Sequence, residues 1–313
     1  MLGKSNPLLP AVYACASAAV FLSSASFGFI LHPSGKEHAA IKSHRDDIIN
    51  SRACSKWKDP PYLAVLTEPD ACDSAERVQD TYTAIERATR EGNVDLVVIR
   101  TSDDTSDASS TRDARNANKS ELMQRLSQLK LNRDEHDVGF KLVINNDLSM
   151  LIDALSQRLS IDGIHVKERN VGSIPTIRKQ LRDLATQAGI ENQIIVGTSC
   201  HSIKSAMDSY QHIDYLFVGT CYMTNSHPEK NQEELEGPMF PGRIKEDLSK
   251  VCDSSSLPLV FAIGGIDETN CKGPISFGAD GVGVIRSVMK ASDPRLMTEC
   301  IVGSMTDAMQ RIE

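Results

Sequence analysis

The segment Tyr62-Leu63-Ala64-Val65-Leu66-Thr67-Glu68-Pro69-Asp70 decides the fold. Five apolar residues in a row, stopped by Glu-Pro-Asp, read as a strand buried on both faces. A helical pattern follows over 74–90. A doubly wound dinucleotide-binding sheet would carry Gly-x-Gly-x-x-Gly in this first strand-to-helix turn. Residues 67–70 hold no glycine, which turns the reading toward the other common parallel architecture.

Working outward, the same pairing recurs. Apolar runs at 62–66, 94–99, 141–144, 163–166, 193–196, 215–218, 257–263 and 281–285 alternate with helical patterns at 74–90, 121–131, 148–159, 174–188, 202–210, 243–252, 267–277 and 293–311. Continuous Val/Ile/Leu runs are those of parallel strands covered on both sides. Eight strand-helix units, at the roughly 250-residue length usual for that fold, predict an α/β (β/α)8 TIM barrel over 61–313. The polar tract 101–120, rich in Ser, Asp, Asn and Thr, reads as a disordered insertion.

Composition narrows the function classes. The 313 residues are 40% hydrophobic and 24% charged with a formal charge of −8, which argues against nucleic acid or an anionic membrane as a partner. With 5% aromatic residues and one Trp, a base-stacking platform is not expected. The eight cysteines are scattered, with no pair at zinc or redox spacing, and read as core thiols.

The N-terminal sixty residues read as a separate region. Residues 5–35 contain no Asp, Glu, Lys or Arg; an apolar stretch over 10–22 is followed by small residues at 23–26. This is the pattern of a signal peptide over 1–31, with a membrane anchor or secretory export as the alternatives. Residues 33–59 carry six Lys/Arg against four Asp/Glu and read as a transit segment or linker over 32–60. Ala25-Ser26-Phe27-Gly28-Phe29 resembles the cleavage motif of two-part plastid presequences, so a plastid address is what that resemblance implies. No membrane association is expected after processing, and a homo-oligomer is left open.

In a barrel, chemistry gathers at the C-terminal strand ends. Ala262-Ile263-Gly264-Gly265-Ile266 closes the seventh strand, and 278–285 forms the eighth. Two glycines let a backbone approach a ligand, and loops after strands 7 and 8 commonly hold phosphate. Gly264, Gly265, Arg286 and Ser287 are therefore phosphate candidates, Arg286 being equally compatible with a plain surface role. His201 follows the fifth strand, where an imidazole suits proton abstraction and return. Arg100 either faces an anion or pairs with Asp103 or Asp104. Asn145 and Asn146 either bind a polar ligand or cap the next helix. Lys167 either lines the mouth or pairs with Glu168. Thr224 and Ser226 lie in a polar loop that could cover a ligand. No metal ligand set is read.

The ordered segments Ile144-Asn145-Asn146-Asp147, Asp162-Gly163-Ile164-His165-Val166, 196–206, Phe217-Val218-Gly219-Thr220, 224–228, 262–266 and 278–285 resemble the thiamine phosphate synthase/TenI family. The resemblance implies a thiazole phosphate pocket at strands 7 and 8 and a place in thiamine biosynthesis. Its synthases join a pyrimidine pyrophosphate to a thiazole phosphate with Mg2+. Its TenI-type members aromatise a thiazole phosphate carboxylate tautomer by moving a proton. Synthases carry Gln-x-Arg-x-Lys after strand 2; here the matching positions are Val98, Arg100 and Ser102. Their metal carboxylates after strands 3 and 4 match Asn146, unless the register slips to Asp147, and Asn170. The tautomerase histidine matches His201, and Thr224-Asn225-Ser226-His227-Pro228 resembles the TenI-type loop. The expected activity is thiazole tautomerisation by His201 on a phosphorylated thiazole, with no cofactor. The alternatives are a synthase using Mg2+ and a non-catalytic binder of thiamine precursors.

Overall fold

Strand β1 (Tyr62–Leu66) is buried at all five positions, as its unbroken apolar sequence requires. It is joined in parallel by β2 (Leu96–Ile99), β3 (Lys141–Asn145), β4 (Gly163–Val166), β5 (Ile195–Cys200), β6 (Tyr215–Val218), β7 (Leu259–Ile263) and β8 (Gly281–Val284). β8 pairs back onto β1 with Tyr62 opposite Gly281, closing an eight-stranded barrel in chain order. The structure is a computed structural model and describes residues 57–100, 109–136, 139–188, 194–224 and 231–311, all within the unit Arg45–Glu313. Residues 1–31 and nearly all of 32–60, where a signal peptide and a transit segment or linker are expected, lie outside the described residues.

Helices α1 (Ala75–Ala88), α2 (Ser109–Asp134), α3 (Leu148–Ser156), α4 (Ile174–Ala188), α5 (Ile203–Ser209), α6 (Phe240–Ser249), α7 (Lys272–Ser276), α8 (Arg286–Met289) and α9 (Pro294–Met309) alternate with the strands. α1 illustrates the local logic: Ser74 caps it by accepting from the Arg77 N–H. Val78, Thr81, Ala84, Ile85 and Ala88 then form its buried stripe. Along the strands, side chains alternate. Tyr62, Ala64, Leu66, Leu96, Val98, Val143, Ile195, Tyr215, Phe217 and Phe261 fill the barrel interior. Their neighbours, such as Leu63, Val65, Val97, Ile99, Leu142 and Ile144, pack outward with the helices. Trp57 stacks edge-on to Tyr62 at 5.8 Å and Tyr215 at 6.5 Å and stops the N-terminal end.

At that end an aspartate precedes every second strand. The Oδ2 atoms of Asp95, Asp162, Asp214 and Asp280 accept from the N–H groups of Leu63, Leu142, Val196 and Val260 at 2.7–2.8 Å. The amide of each aspartate donates to the carbonyl of the same partner residue. Four two-strand units are thus clamped in the same way.

Three expectations are corrected. The tract 101–120 is helical from residue 109, as the first half of α2; 101–108 lies outside the described residues. Arg115 pairs with Asp73 at 2.8 Å, Asn118 donates to the Cys72 carbonyl at 2.9 Å, and Lys119 pairs with Asp147 at 2.9 Å. These tertiary contacts hold a polar segment whose composition argued for disorder. β5 runs to Cys200 rather than ending at Val196. Gly197 is no turn: a Cβ there would lie 2.0 Å from the Tyr215 ring, so its missing side chain admits the aromatic into the barrel. Finally, a short α8 follows β8 directly, ahead of α9.

Cys72, Cys200, Cys221 and Cys271 are buried free thiols, Cys252 is half-buried and Cys300 exposed; Cys15 and Cys54 lie outside the described residues. Among the described residues no helix is long and apolar enough to cross a membrane.

Candidate functional site

The C-terminal strand ends surround a cavity of about 910 Å³. Arg100, Asn145, Lys167, His201, Thr224, Gly264, Gly265, Arg286 and Ser287 all line it. Asn146 does not, and Ser226 lies outside the described residues. Asn146 takes φ +54°, which turns it off the strand direction. Its Oδ1 accepts from Asn170 Nδ2 at 2.9 Å and from the Lys167 N–H at 3.4 Å. The side chain expected to bind substrate instead fixes the start of the loop after β4.

The strand-7 and strand-8 end has the geometry of an anion cradle. Gly264 and Gly265 have φ of +99° and +64°. A Cβ on Gly264 would lie 2.6 Å from Thr220 Cγ2, and one on Gly265 would lie 2.3 Å from the Met223 carbonyl oxygen. The chain reaches this shape only with glycine. Among the described residues, no carbonyl accepts from the amides of Gly265, Ile266, Arg286 or Ser287. Unpaired N–H groups at a turn and a helix start attract anions. Ser287 Oγ donates to the Ile266 carbonyl at 3.2 Å, tying the two loops together. The Arg286 Nε faces Glu68 Oε1 at 3.5 Å, and Lys290 Nζ faces the same oxygen at 3.3 Å. Glu68 is buried and also holds Arg77 at 3.0 Å, so it orders the cations at this rim.

Opposite this cradle, His201 follows the last residue of β5. Its Nδ1 is 3.5 Å from Glu236 Oε1, and its Nε2 is 3.9 Å from Glu168 Oε2. Its own N–H donates to Glu168 Oε1 at 3.0 Å. Glu236 is stapled to the end of β6: its Oε2 accepts from the Thr220 N–H and its N–H donates to the Thr220 carbonyl. Both carboxylates therefore have fixed positions from which to orient the imidazole.

Deeper in the barrel lies a second histidine that position-based reading did not single out. His165 is 3% exposed and lines the cavity floor. Its Nε2 meets Ser199 Oγ at 2.9 Å and its Nδ1 meets Tyr215 Oη at 3.1 Å. Burial, helped by the nearby charge of Arg100, pushes it down to about 3, so it stays neutral. Burial and then the charge of Arg286 also lower the Arg100 guanidinium. Burial, followed by Arg169 and Arg100, pushes the Lys167 ammonium down to about 8.

A divalent cation at the ends of strands 3 and 4 would need carboxylate oxygens. The residues present do not fit one. Asn146 and Asn170 bond to each other. Asp147 caps α3 by accepting from Met150 N–H at 3.0 Å and pairs with buried Lys119, and Glu168 is turned to His201. Among the described residues no three His, Cys, Asp or Glu side chains are grouped to hold a metal.

Comparison with known proteins agrees with this architecture. The family model described as thiamine monophosphate synthase matches residues 64–288. The thiamine-phosphate synthase of Geobacillus kaustophilus is 30% identical over 176 residues, covering 55% of this chain and 67% of that protein. That of Shouchella clausii is 26% identical over 223 residues, covering 70% and 87%. Among solved structures, the thiamine phosphate pyrophosphorylase from Pyrococcus furiosus superposes with a TM-score of 0.55 at 21% identity, covering 79% of this chain and 96% of that one. The match runs from β1 through α8 and takes in both the glycine cradle and His201, so the chain belongs to the thiamine monophosphate synthase (TMP-TENI) family.

Proposed function

We propose that this protein is an enzyme of thiamine biosynthesis that binds a thiazole phosphate and aromatises it by proton transfer. The supporting observation is that the Gly264-Gly265 cradle and His201 line one cavity, while the ends of strands 3 and 4 offer amides in place of metal carboxylates. The phosphate would sit on the amides of Gly265, Ile266, Arg286 and Ser287, with Arg286 adding charge. His201, oriented by Glu168 and Glu236, takes a proton from one carbon. The electron pair left behind joins the aromatic ring, and a proton is returned at the far end of the conjugated system. His165 is unsuited to that work, because a fully buried ring pushed down to about 3 is a poor proton acceptor at neutral pH. Thr224 would line the covering loop, and Asn145 would bond the heterocycle.

The second reading is a thiamine phosphate synthase. The names of the relatives favour it. It would require pyrophosphate departure without the usual carboxylates, or with ligands from 101–108 or 225–230. The two separate in one experiment. The protein is given the thiazole phosphate carboxylate tautomer, with aromatisation followed by ultraviolet absorbance. In parallel it is given the pyrimidine pyrophosphate, thiazole phosphate and Mg2+, with thiamine phosphate followed by fluorescence after oxidation. Tautomerisation that His201→Gln abolishes, with thiazole phosphate binding retained, supports the first reading. Robust Mg2+-dependent thiamine phosphate formation replaces it with the second.

A further inference from the structure

The end of β1 carries a buried carboxylate that the proposed proton transfer does not use. Glu68 is 7% exposed, and a carboxylate is that deeply buried only when it is paired. Its two oxygens serve different elements. Oε2 accepts from Arg77 Nη2 of α1 at 3.0 Å. Oε1 faces Arg286 Nε at 3.5 Å and Lys290 Nζ at 3.3 Å, at the two ends of α8. Three cations converge on this carboxylate where β1 meets β8.

Glu68 is held from both sides. The preceding Thr67 donates its N–H to the Val98 carbonyl at 3.0 Å, and its Oγ1 accepts from the Arg100 N–H at 2.7 Å, which ties the backbone to β2. The Glu68 carbonyl accepts from the Ala71 N–H at 3.2 Å and closes a turn. Arg77 is gripped in turn by Asp70 at 2.7 Å. Its bonds to Asp70 and then Glu68 hold its guanidinium above the ordinary value. An ordered chain of charges therefore runs from Asp70 through Arg77 and Glu68 to Arg286, and it meets Arg286 closest at Nε. Arg286 lines the cavity beside Gly264 and Gly265. A guanidinium held at Nε keeps its terminal fork for an anion, with parallel donors that match two phosphate oxygens.

We propose that Glu68 is a positioning residue for phosphate binding: anchored by Arg77, it holds Arg286 at Nε and so aims the terminal guanidinium nitrogens at an anion in the Gly264-Gly265 cradle. The inference rests on the proposed reading of that cradle. Loss of a negative charge would, by its field alone, strengthen anion binding; loss of a positioning residue weakens it, so the sign separates the two effects.

The test is titration calorimetry of the full-length protein with inorganic phosphate at pH 7, in about 0.15 M NaCl to screen distant charges. Arg286→Met and Glu68→Gln should each weaken phosphate about tenfold, the worth of a charge-assisted hydrogen bond. Glu68→Asp keeps the charge but withdraws it by one methylene, and should cost about threefold. In the Arg286→Met background neither Glu68 change should weaken phosphate further. A merely structural role, exerted through Arg77 and α1, would leave the Glu68 losses undiminished in that background. The proposal is overturned by that result, or by phosphate affinity in both Glu68 variants that equals or exceeds wild type. If Gly265→Ala leaves binding unchanged while Glu68 and Arg286 remain coupled, the glycine cradle fails and the positioning role stands. If Gly265→Ala abolishes binding and the coupling is absent, the positioning role fails alone. A wild type that binds no phosphate refutes both. Should Glu68→Gln not fold, judged by circular dichroism, Glu68→Asp carries the test.

Discussion

Replacing Gly265 with alanine tests the cradle by geometry alone. The residue sits at φ +64°, where an L side chain costs about 1–2 kcal/mol. The added Cβ would lie 2.3 Å from the Met223 carbonyl oxygen and 2.8 Å from that of Tyr222. Both are backbone atoms, so relief requires moving the loop after β6 and not merely turning a side chain. We expect a total loss of about 2–4 kcal/mol, comparable to overpacking a core. The loop shift also displaces the Gly265 and Ile266 amides, so inorganic phosphate affinity should fall at least tenfold. Gly303→Ala is the control. It lies in α9 with nothing within 4 Å of its added Cβ, so it should gain about 0.5–1 kcal/mol from helix propensity. Urea denaturation gives both stabilities, and calorimetry gives phosphate binding. Normal phosphate affinity in Gly265→Ala would refute the cradle, and equal stability changes in the two variants would refute the steric argument.

Two further outcomes follow from the charge environment. Among the described residues Asp95 is the clamp aspartate for which no ion pair is seen, and burial, only partly offset by the Leu63 N–H and the charge of Lys58, raises it to about 6. Its folded-state value is above the unfolded one, so its contribution is present in acid and lost as pH rises from about 4 through 6. Asp95→Asn keeps an acceptor for Leu63, so it should raise stability by about 1–2 kcal/mol at pH 7, little at pH 4, in urea denaturation. Asp214→Asn should instead cost about 2 kcal/mol, because the half-buried Arg178 2.6 Å away loses its carboxylate and keeps only the His212 and Ile194 carbonyls; equal effects at the two sites would contradict the account. Lys167, lowered to about 8 by burial, Arg169 and Arg100, is charged below that value and neutral above it.

The strand-helix alternation was legible because parallel barrel strands are apolar on both faces, and their runs stand out against polar loops. Helix α2 was not, since its N-terminal half has no apolar stripe to read. It is held by Arg115, Asn118 and Lys119 reaching residues distant in sequence. The aspartate clamps were written in the chain as Val94-Asp95, Ile161-Asp162, Ile213-Asp214 and Ala279-Asp280. Treating each apolar run as one undivided block hid this repeat. An aspartate beside a strand looks like loop punctuation until its carboxylate is seen to bond the neighbouring strand.

The site itself depends on a period of two that runs beneath those apolar runs. Side chains on a strand alternate between interior and helix layer. Residues 62, 64 and 66 face inward, and the next in phase is Glu68. Leu96 and Val98 lead in the same way to Arg100, Val143 to Asn145, and Ile195 through Gly197 and Ser199 to His201. His165 points inward between outward Ile164 and Val166, and Lys167 continues its phase. Phe261 and Ile263 lead to Gly265, and Gly283 and Ile285 to Ser287. The same phase excludes Asn146, whose neighbour Asn145 takes the inward place, and Cys200, which packs in the outer layer. Choosing every polar residue at a strand end therefore admitted Asn146 and omitted Glu68, Ser199 and His165. Carrying the inward phase of each strand two residues past its end separates them from sequence alone. That works because the hydrogen-bonded ladder holds the alternation until the chain turns, so the last inward position of each strand faces the mouth of the barrel.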